Sequence, residues 1–527
     1  MSTSNESPSP RPRAVANHST LGVLALRWSC ATCRQSKRRC DKIYPKCTLC
    51  VQKNTPCNYP GRRKREKLKN RIKAILPVGK SIVDPPPVVL AEKKHDVRQL
   101  SFPSASSSFI AESFLDPEVF SKAQLKVVNA DVEVTDDIAE LVGSVLDIQA
   151  TSAKFFKSVH MWMPIISKPH FCANLLNRLT YKRAELFLLV LSMKLSFTRV
   201  KTWNTPLYET VKLFQFKIEA SGVLSTLVLQ ASILIALYEL GHGIYPAAYL
   251  SVGSCARYAT ALGIEKSILS SSAAQGQWIE EEECRRMWWA ILVLDRYLNL
   301  SNPKRHLITT DAGLESYLPV DDEVWESGVL NPDRIYTLAT ANSYHLGLFA
   351  RFAQAAHLLS QVLHHVSEES NETAQLRRTI FALVNVSNIE ASMRRLEYCS
   401  QSAVCYANSG ILALDYSSFS KGMCVSDSGQ KLSSESAIIS QATLDMALTL
   451  IHGDSEQLCD VASPFLVHLL YKVASMHLRI AHKSQTRGDR EKVEILRKSM
   501  KLVGNRWLCT SAYLSLLEKQ EILLVME

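Results

Sequence analysis

Six cysteines near the N-terminus are the side chains whose type and spacing indicate chemistry. They form the pattern C-x2-C-x6-C, written twice, at Cys30, Cys33, Cys40, Cys47, Cys50 and Cys57. Thiolates are good zinc ligands, and a structural zinc ion takes four ligands in a tetrahedron. One ion would leave two of the six sulfurs idle, whereas two ions need about eight bonds. Six sulfurs supply these eight bonds when two of them each bind both ions, so the spacing predicts a two-zinc cluster.

The internal repeat indicates which sulfurs are shared. Cys30 and Cys47 are the equivalent first members of the two halves, so we predict that they bridge the ions. Six thiolates and two Zn²⁺ leave a charge of about −2, which nearby bases offset. Spacing alone also admits three disulfides, which would require a secreted protein.

The N-terminus does not favour secretion. Arg11 and Arg13 precede an apolar stretch, Leu21 to Leu26, of about six residues, where a signal peptide has roughly 7–15. No small-x-small cleavage site follows, and Trp28 stands in that place. The other eight cysteines are scattered, mostly in apolar helical surroundings, as buried reduced thiols are. We therefore expect an intracellular protein.

Positive charge is concentrated beside the cysteines. The chain has a net charge of +11, but residues 27–73 hold 16 Lys and Arg against two acids, which leaves −3 elsewhere. This asymmetry predicts a polyanion as the partner of one end only. In the first C-x2-C-x6-C repeat, we predict a short helix that projects basic side chains from the metal cluster. These side chains are Arg34, Lys37, Arg38 and Arg39.

A second basic run follows the cysteines. It is Arg62-Arg63-Lys64-Arg65, in a predicted basic helix over 61–76 that Pro77 ends. We expect this run to contact DNA phosphates and to serve as a nuclear import signal. The helix offers about two heptads, short of the roughly 3–4 that indicate a coiled coil.

The cysteine segment resembles the fungal zinc binuclear cluster family of transcription regulators. All six cysteines match, as do Arg34, Lys37, Asp41 and Pro45. The resemblance implies that the first and fourth cysteines bridge two zinc ions. It also implies that Lys37 reads a CGG-type triplet in the major groove of double-stranded DNA, where lysine donors meet guanine O6 and N7. Ser36 stands where family members often have a second lysine.

The remainder is predicted to be helical, because glycines are few and alternating strand patterns are rare. The fold class is therefore mostly α: a small N-terminal zinc module and a large all-α regulatory domain, joined by a disordered linker. The apolar stretch 223–240 is interpreted as a buried helix and not a membrane span. The predicted divisions are a disordered tail at 1–27, the zinc module at 28–60, the basic helix at 61–76, the linker at 77–135 and the helical domain at 136–527. The predicted helices are 184–197, 207–219, 223–240, 246–262, 281–300, 336–365, 374–397, 434–451, 464–482 and 491–517.

Four blocks within 150–330 resemble the fungal-specific middle homology domain. They begin near Phe155, Gly241, Glu283 and Leu318. In the third block, Arg285, Arg286, Asp295 and Arg296 are expected to be paired buried charges. Trp288 and Trp289 are expected in the core, and the lone histidines His160 and His242 in structural roles.

No P-loop, G-x-S-x-G, H-E-x-x-H or complete G-x-G-x-x-G motif accompanies the helical pattern, so we expect a protein that is not an enzyme. We predict a nuclear regulator of RNA polymerase II transcription that binds double-stranded DNA and the transcription machinery, homodimerises through the helical body and does not enter a membrane. The family variants present also suggest control of a biosynthetic gene cluster for a secondary metabolite. Two alternatives stay open: an enzyme docked by its zinc module, and an architectural or RNA-binding protein.

Overall fold

The chain forms two compact units, Met1–Ser101 and Phe102–Glu527, in a computed structural model. The structure describes residues 29–41, 46–57, 111–112, 114–123, 132–173, 183–269, 278–329, 335–340, 346–366, 371–396, 401–420, 433–484 and 487–526. Regular structure in these ranges is helical, apart from one antiparallel bridge between Tyr317 and Thr337. The mostly α prediction is therefore confirmed.

The first unit contains two single-turn helices, α1 (Ala31–Gln35) and α2 (Thr48–Gln52). The predicted tail and basic helix, at 1–27 and 61–76, lie outside the described residues, as does most of the predicted linker. Within that linker the structure describes one short helix, α3 (Pro117–Lys122), which belongs to the second unit.

The second unit is a body of packed helices. Its remaining helices are α4 (Asp136–Val142), α5 (Val145–Phe156), α6 (Ala184–Phe197), α7 (Pro206–Ala220), α8 (Thr226–Gly241), α9 (Ala247–Ala261), α10 (Trp278–Asn299), α11 (Asp322–Ser327), α12 (Leu348–His365), α13 (Asn371–Met393), α14 (Ser402–Ser420), α15 (Ser434–His452), α16 (Ser455–Val461), α17 (Pro464–Ser484), α18 (Arg487–Val503) and α19 (Cys509–Met526). Two 3₁₀ turns, Val159–Met161 and Ile264–Ile268, join them.

Local sequence signals explain several helix starts. The Thr205 hydroxyl accepts a hydrogen bond from the Tyr208 N–H at 3.2 Å, and Pro206 fills the first turn of α7, as predicted. Ser144 and Asp147 form a reciprocal capping box at the start of α5. The sequence prediction did not include α5, although this Ser-Asp pair is a signal for its start.

The core is built around α8 and α10. Every residue of α8 from Leu227 to Gly241 is buried, because α6, α9 and α10 pack around it. This confirms the interpretation of 223–240 as a buried helix. Among the described residues no single helix is long and apolar enough to cross a membrane. Only α16 together with α17 up to Lys483 meets that criterion, as a pair bent by 110°.

Two predicted helices differ from the structure. Residues 336–340 are not helical, because the Leu318 N–H donates to the Tyr336 carbonyl at 2.8 Å and the Leu338 N–H to the Ser316 carbonyl at 3.0 Å. The prediction of one helix over 491–517 is also wrong. One helix ends at Val503 and the next begins at Cys509, and the buried Trp507 lies between them.

Candidate metal centre

Two matching half-modules position the six sulfurs. Cys30 and Cys47 are the N-cap residues of α1 and α2 and lie 17 residues apart. The Cys33 N–H donates to the Cys30 Sγ at 3.4 Å, so the first turn of α1 is closed by the sulfur itself.

Each short helix ends in the same turn. Lys37 and Asn54 occupy equivalent positions in the two halves and share the left-handed value φ 49°. The N–H that follows each of them, on Arg38 and Thr55, donates back to a carbonyl of the helix, at 2.9 and 3.0 Å. This is the Schellman arrangement that terminates helices. The repeat in the cysteine spacing is therefore a repeat in backbone structure.

Four of the sulfurs have the spacing of a tetrahedral zinc site. The Sγ–Sγ distances are 3.8 Å for Cys30–Cys47, 3.7 Å for Cys30–Cys50, 3.6 Å for Cys33–Cys47 and 3.8 Å for Cys33–Cys50. Zn–S bonds of about 2.3 Å in a tetrahedron require sulfurs about 3.8 Å apart. The sulfurs of the two halves are therefore close enough to bind shared metal ions. In the predicted two-zinc cluster Cys33 and Cys50 bind different ions, so these two sulfurs would lie farther apart than 3.8 Å when both ions are bound.

The third cysteine of each half lies at the margin of this tetrad. Cys40 groups with Cys47 and Asp41 within 4.8 Å, and the Cys57 Sγ accepts the Cys47 N–H at 3.2 Å. The Asp41 carboxylate accepts the Thr48 N–H at 2.9 Å, which ties the first half to the start of α2. Cys47 thus belongs to both groups of ligand atoms.

Burial follows the same symmetry. The exposed fractions are 0, 2 and 9% for Cys30, Cys33 and Cys40, and 0, 2 and 8% for Cys47, Cys50 and Cys57. The first two cysteines of each half are therefore almost fully buried, and the third is slightly more exposed. Burial also raises the pKa of the Cys30, Cys33, Cys47 and Cys50 thiols, so metal binding must displace protons from them.

The basic residues of the first half are all exposed. Their predicted common helix is wrong: α1 ends at Gln35, so only Arg34 is helical, and Lys37 lies at the tip of the turn that follows. Arg38 and Arg39 continue toward Cys40 in non-helical backbone. The second basic run, Arg62, Arg63, Lys64 and Arg65, lies outside the described residues.

In the helical body, the prediction of paired buried charges on α10 is confirmed, and Glu282 and Asp311 are further partners. The Arg286 guanidinium contacts Glu282 at 2.8 Å and lies 4.5 Å from the ring centre of Trp325. Arg285 pairs with the same carboxylate. Glu282 precedes Arg286 by four residues, and this helical spacing is the signal that could have identified it as the partner.

Buried charges are also paired near the C-terminal end of α10. Arg296 contacts Asp295 at 3.2 Å and Asp311 at 2.8 Å, and Asp295 also accepts the Thr309 N–H at 3.0 Å. Trp288 and Trp289 are in the core, as expected.

The two lone histidines make structural contacts. His160 lies 2.9 Å from the Glu326 carboxylate, and His242 lies 2.9 Å from the Tyr238 carbonyl and stacks on that tyrosine ring. Burial lowers the pKa of both rings, in His242 to about 4. Within the described residues, the groups of side chains spaced for a metal all contain members of the cysteine module.

Comparison with known proteins gives two domain matches. Residues 28–66 match the fungal Zn(2)-Cys(6) binuclear cluster domain, and residues 153–400 match the fungal specific transcription factor domain.

Individual proteins are similar over part of the chain. Transcription factor BOA15 of Botryotinia fuckeliana is 38% identical over 182 residues, which cover 33% of this chain and 97% of that protein. Two citrinin biosynthesis transcriptional activators, mrl3 of Monascus ruber and ctnR of Monascus purpureus, are each 24% identical over 339 residues. That alignment covers 57% of this chain in both cases, with 64% of the first protein and 57% of the second.

Proposed function

Because the chain belongs to the fungal Zn(2)-Cys(6) family of transcription factors, we propose that its cysteine module reads a CGG-type triplet in the major groove of double-stranded DNA. The family binds DNA through a module that holds two zinc ions and consists of transcription factors, not enzymes. The observation that carries the proposal is the exposed left-handed turn at Lys37, fixed to the metal cluster through Cys33 and Cys40.

The two zinc ions share Cys30 and Cys47 in this proposal. Cys33 and Cys40 complete the ligands of one ion, and Cys50 and Cys57 those of the other. The presence of Cys47 in both ligand groups supports this assignment, as does the equivalent position of Cys30 and Cys47 as N-cap residues of α1 and α2. The chemistry of the ions is structural: they replace the hydrophobic core that so short a segment lacks.

Lys37 is the base-reading residue of the proposal. Its ammonium group is exposed at the tip of a turn whose backbone is held by the Arg38 N–H to Cys33 carbonyl bond of 2.9 Å. A lysine so placed donates to guanine O6 and N7. Arg34, Arg38 and Arg39 flank it and contact the backbone or adjacent base edges, and Arg62, Arg63, Lys64 and Arg65 neutralise phosphates.

The biological setting follows from the relatives. Two of them are named as transcriptional activators of citrinin biosynthesis, so control of a biosynthetic gene cluster by RNA polymerase II in the nucleus is the proposed role. The helical body supplies contacts to the transcription machinery and the interface of a homodimer.

The two half-modules provide a matched pair of variants to test the reading residue. Asn54 has the same φ as Lys37, so Lys37→Asn keeps a side chain that tolerates this backbone while removing the donor. We expect Lys37→Asn to lose about 1–3 kcal/mol on the CGG duplex alone, while Asn54→Lys leaves the preference over scrambled DNA unchanged. Both duplexes are titrated at several salt concentrations, and two bound zincs are verified first.

Neutralising Arg62, Arg63, Lys64 and Arg65 gives the opposite signature. Affinity falls on both duplexes alike, and the salt dependence flattens by about one unit of slope per lost phosphate contact. If Lys37→Asn weakened both duplexes equally, the base-reading role of Lys37 would be refuted.

A further inference from the structure

The α3 segment, which comprises Glu112, residues 114–116 and α3, precedes the other helices of the second unit along the chain. Its backbone is held in helical turns. The Asp116 N–H donates to the Glu112 carbonyl at 3.0 Å, and the Phe120 N–H donates to the Asp116 carbonyl at 3.0 Å. The Asp116 carboxylate also accepts the Val119 N–H at 3.0 Å, which caps α3. The segment therefore has local helical structure of its own.

Large apolar side chains of the α3 segment are exposed. The exposed fractions are 57% for Phe114, 84% for Leu115 and 61% for Val119. Leu115 and Val119 are four residues apart, so they lie on the same side of the helical turns. Single exposed apolar residues are common on protein surfaces, but a contiguous group of them marks an interaction site. This side of the segment is therefore a candidate docking surface.

The same segment is acidic. Glu112, Asp116 and Glu118 are all exposed, and residues 99–121 contain no lysine or arginine. The first base that follows, Lys122, is paired with Glu118 at 2.5 Å. Residues 102–121 also contain four of the 16 phenylalanines of the chain. Acidic residues alternating with large apolar ones are typical of transcriptional activation segments.

The charge of the α3 segment restricts the class of partner. DNA and RNA are disfavoured, because their phosphates repel the carboxylates of Glu112 and Asp116. Pairing with the same segment of a second copy is disfavoured for the same reason, since like charges would meet. A short amphipathic helix binds a protein by laying its apolar side into a hydrophobic groove. Lysine or arginine at the rim of the groove would complement the acidic residues.

We propose that the α3 segment is an activation segment that docks into an apolar groove, bordered by basic residues, on a protein of the transcription machinery. Leu115 and Val119 enter the groove, and Glu112 and Asp116 face its basic rim. The inference rests on the proposed role of the chain in transcription, but not on how the cysteine module reads DNA.

The test measures transcription from a reporter promoter in a fungal host. The full-length protein is tethered there through a fused bacterial operator-binding domain, so recruitment does not depend on CGG recognition. Leu115→Ser with Val119→Ser should lower reporter transcription several-fold. Promoter occupancy and the thermal unfolding temperature should stay unchanged, because both side chains are exposed.

A matched control has equal apolar exposure without the acidic setting. Leu213 and Phe216 on α7 are 71 and 70% exposed, and Lys217 follows them in the chain. Leu213→Ser with Phe216→Ser should leave reporter transcription at the wild-type level.

A second pair of variants tests charge separately from apolar contact. Glu112→Gln with Asp116→Asn removes two negative charges, while asparagine can still cap α3. Reporter transcription should again fall several-fold, because the attraction to the basic rim is lost. Val119→Leu keeps an apolar side chain and should retain the wild-type level.

The chemistry of the partner is tested by photo-crosslinking, with p-benzoylphenylalanine in place of Leu115 in the tethered protein. Cross-linked peptides should come from another protein, from a surface where apolar residues adjoin lysine or arginine. The proposal is overturned if the tethered wild type does not raise transcription, if the serine variants of the α3 segment match it, or if the α7 control falls equally. Cross-links only to this chain, to a second copy or to a surface without basic residues also overturn it. Failure of CGG recognition by Lys37 would change none of these results, so the two proposals fail separately.

Discussion

In the proposed cluster the first sulfur of each half-module binds both ions and the third binds one, and the third cysteine is also the most exposed of its half. The position of a cysteine in the repeat therefore sets how much of the cluster depends on it. A central sulfur that binds both ions contributes two metal bonds, and a marginal one contributes a single bond.

Alanine substitutions test this difference at the scale of the residue. We expect Cys30→Ala or Cys47→Ala to lose both zincs from the full-length protein, and Cys57→Ala to retain at least one. Metal content is measured by elemental analysis under reducing conditions. Cys172→Ala, which removes an exposed thiol of the helical body, is the control and should keep two zincs. Equal losses for Cys57→Ala and Cys47→Ala would contradict the shared-sulfur assignment.

At the scale of the element, α10 is anchored by charges that cannot be removed singly. Arg286 is fully buried among Glu282, the Val320 carbonyl and the Trp325 ring. Loss of the guanidinium would leave the Glu282 carboxylate buried with one of its cations gone. Breaking a buried pair in this way costs about 3–5 kcal/mol.

Arg286→Met should therefore lower the thermal unfolding temperature of the helical body markedly. Arg199→Met is the matched control, since Arg199 pairs with Glu456 and Asp460 at 2.5 and 2.8 Å on the surface, its side chain 34% exposed. Exposed pairs contribute about 0–1 kcal/mol, so this second variant should unfold near the wild-type temperature. Differential scanning calorimetry measures both. Equal effects of the two substitutions would show that α10 is not held by its buried charges.

How far the elements were predictable depended on whether local signals agreed with tertiary contacts. The continuous apolar run of α6 and the Thr205-Pro206 cap of α7 act within the helix, and these helices begin within a residue of the prediction. Residues 336–340 failed because pairing with 316–318 prevailed over local helical tendency. Likewise, a helical pattern across Arg34 to Arg39 cannot reveal that the backbone turns at Lys37.

The features of the candidate site also differ in how far the sequence predicts them. Metal ligands are recognisable from spacing alone, because six thiols with an internal repeat restrict the possible clusters severely. The contacts of Arg286 with the Val320 carbonyl and the Trp325 ring were not recognisable, because these residues are distant from it in sequence.

At the scale of the whole molecule, the net charge is distributed unevenly along the chain. The module from Arg27 to Lys73 carries the surplus of positive charge, while the rest is slightly acidic. We expect residues 1–80 alone to be monomeric, because the segment before Pro77 offers only about two heptads for a coiled coil. Sedimentation velocity should show a dimer only for the full-length chain. A tight dimer of the 1–80 fragment would place the dimer interface in the N-terminal unit and refute the prediction that it lies in the helical body.

In our proposal, a cysteine module held by zinc selects a DNA sequence. Its most direct test is the ratio of affinities of the full-length protein for a CGG-containing and a scrambled duplex, measured with zinc bound, after chelation and after zinc is restored. We predict a clear preference for CGG that disappears on chelation and returns with zinc. Chelated protein should bind both duplexes weakly and equally, because its lysines and arginines still attract phosphates. A preference that survives the loss of zinc, or stronger binding to single-stranded RNA than to the CGG duplex, would refute zinc-dependent selection of a DNA sequence.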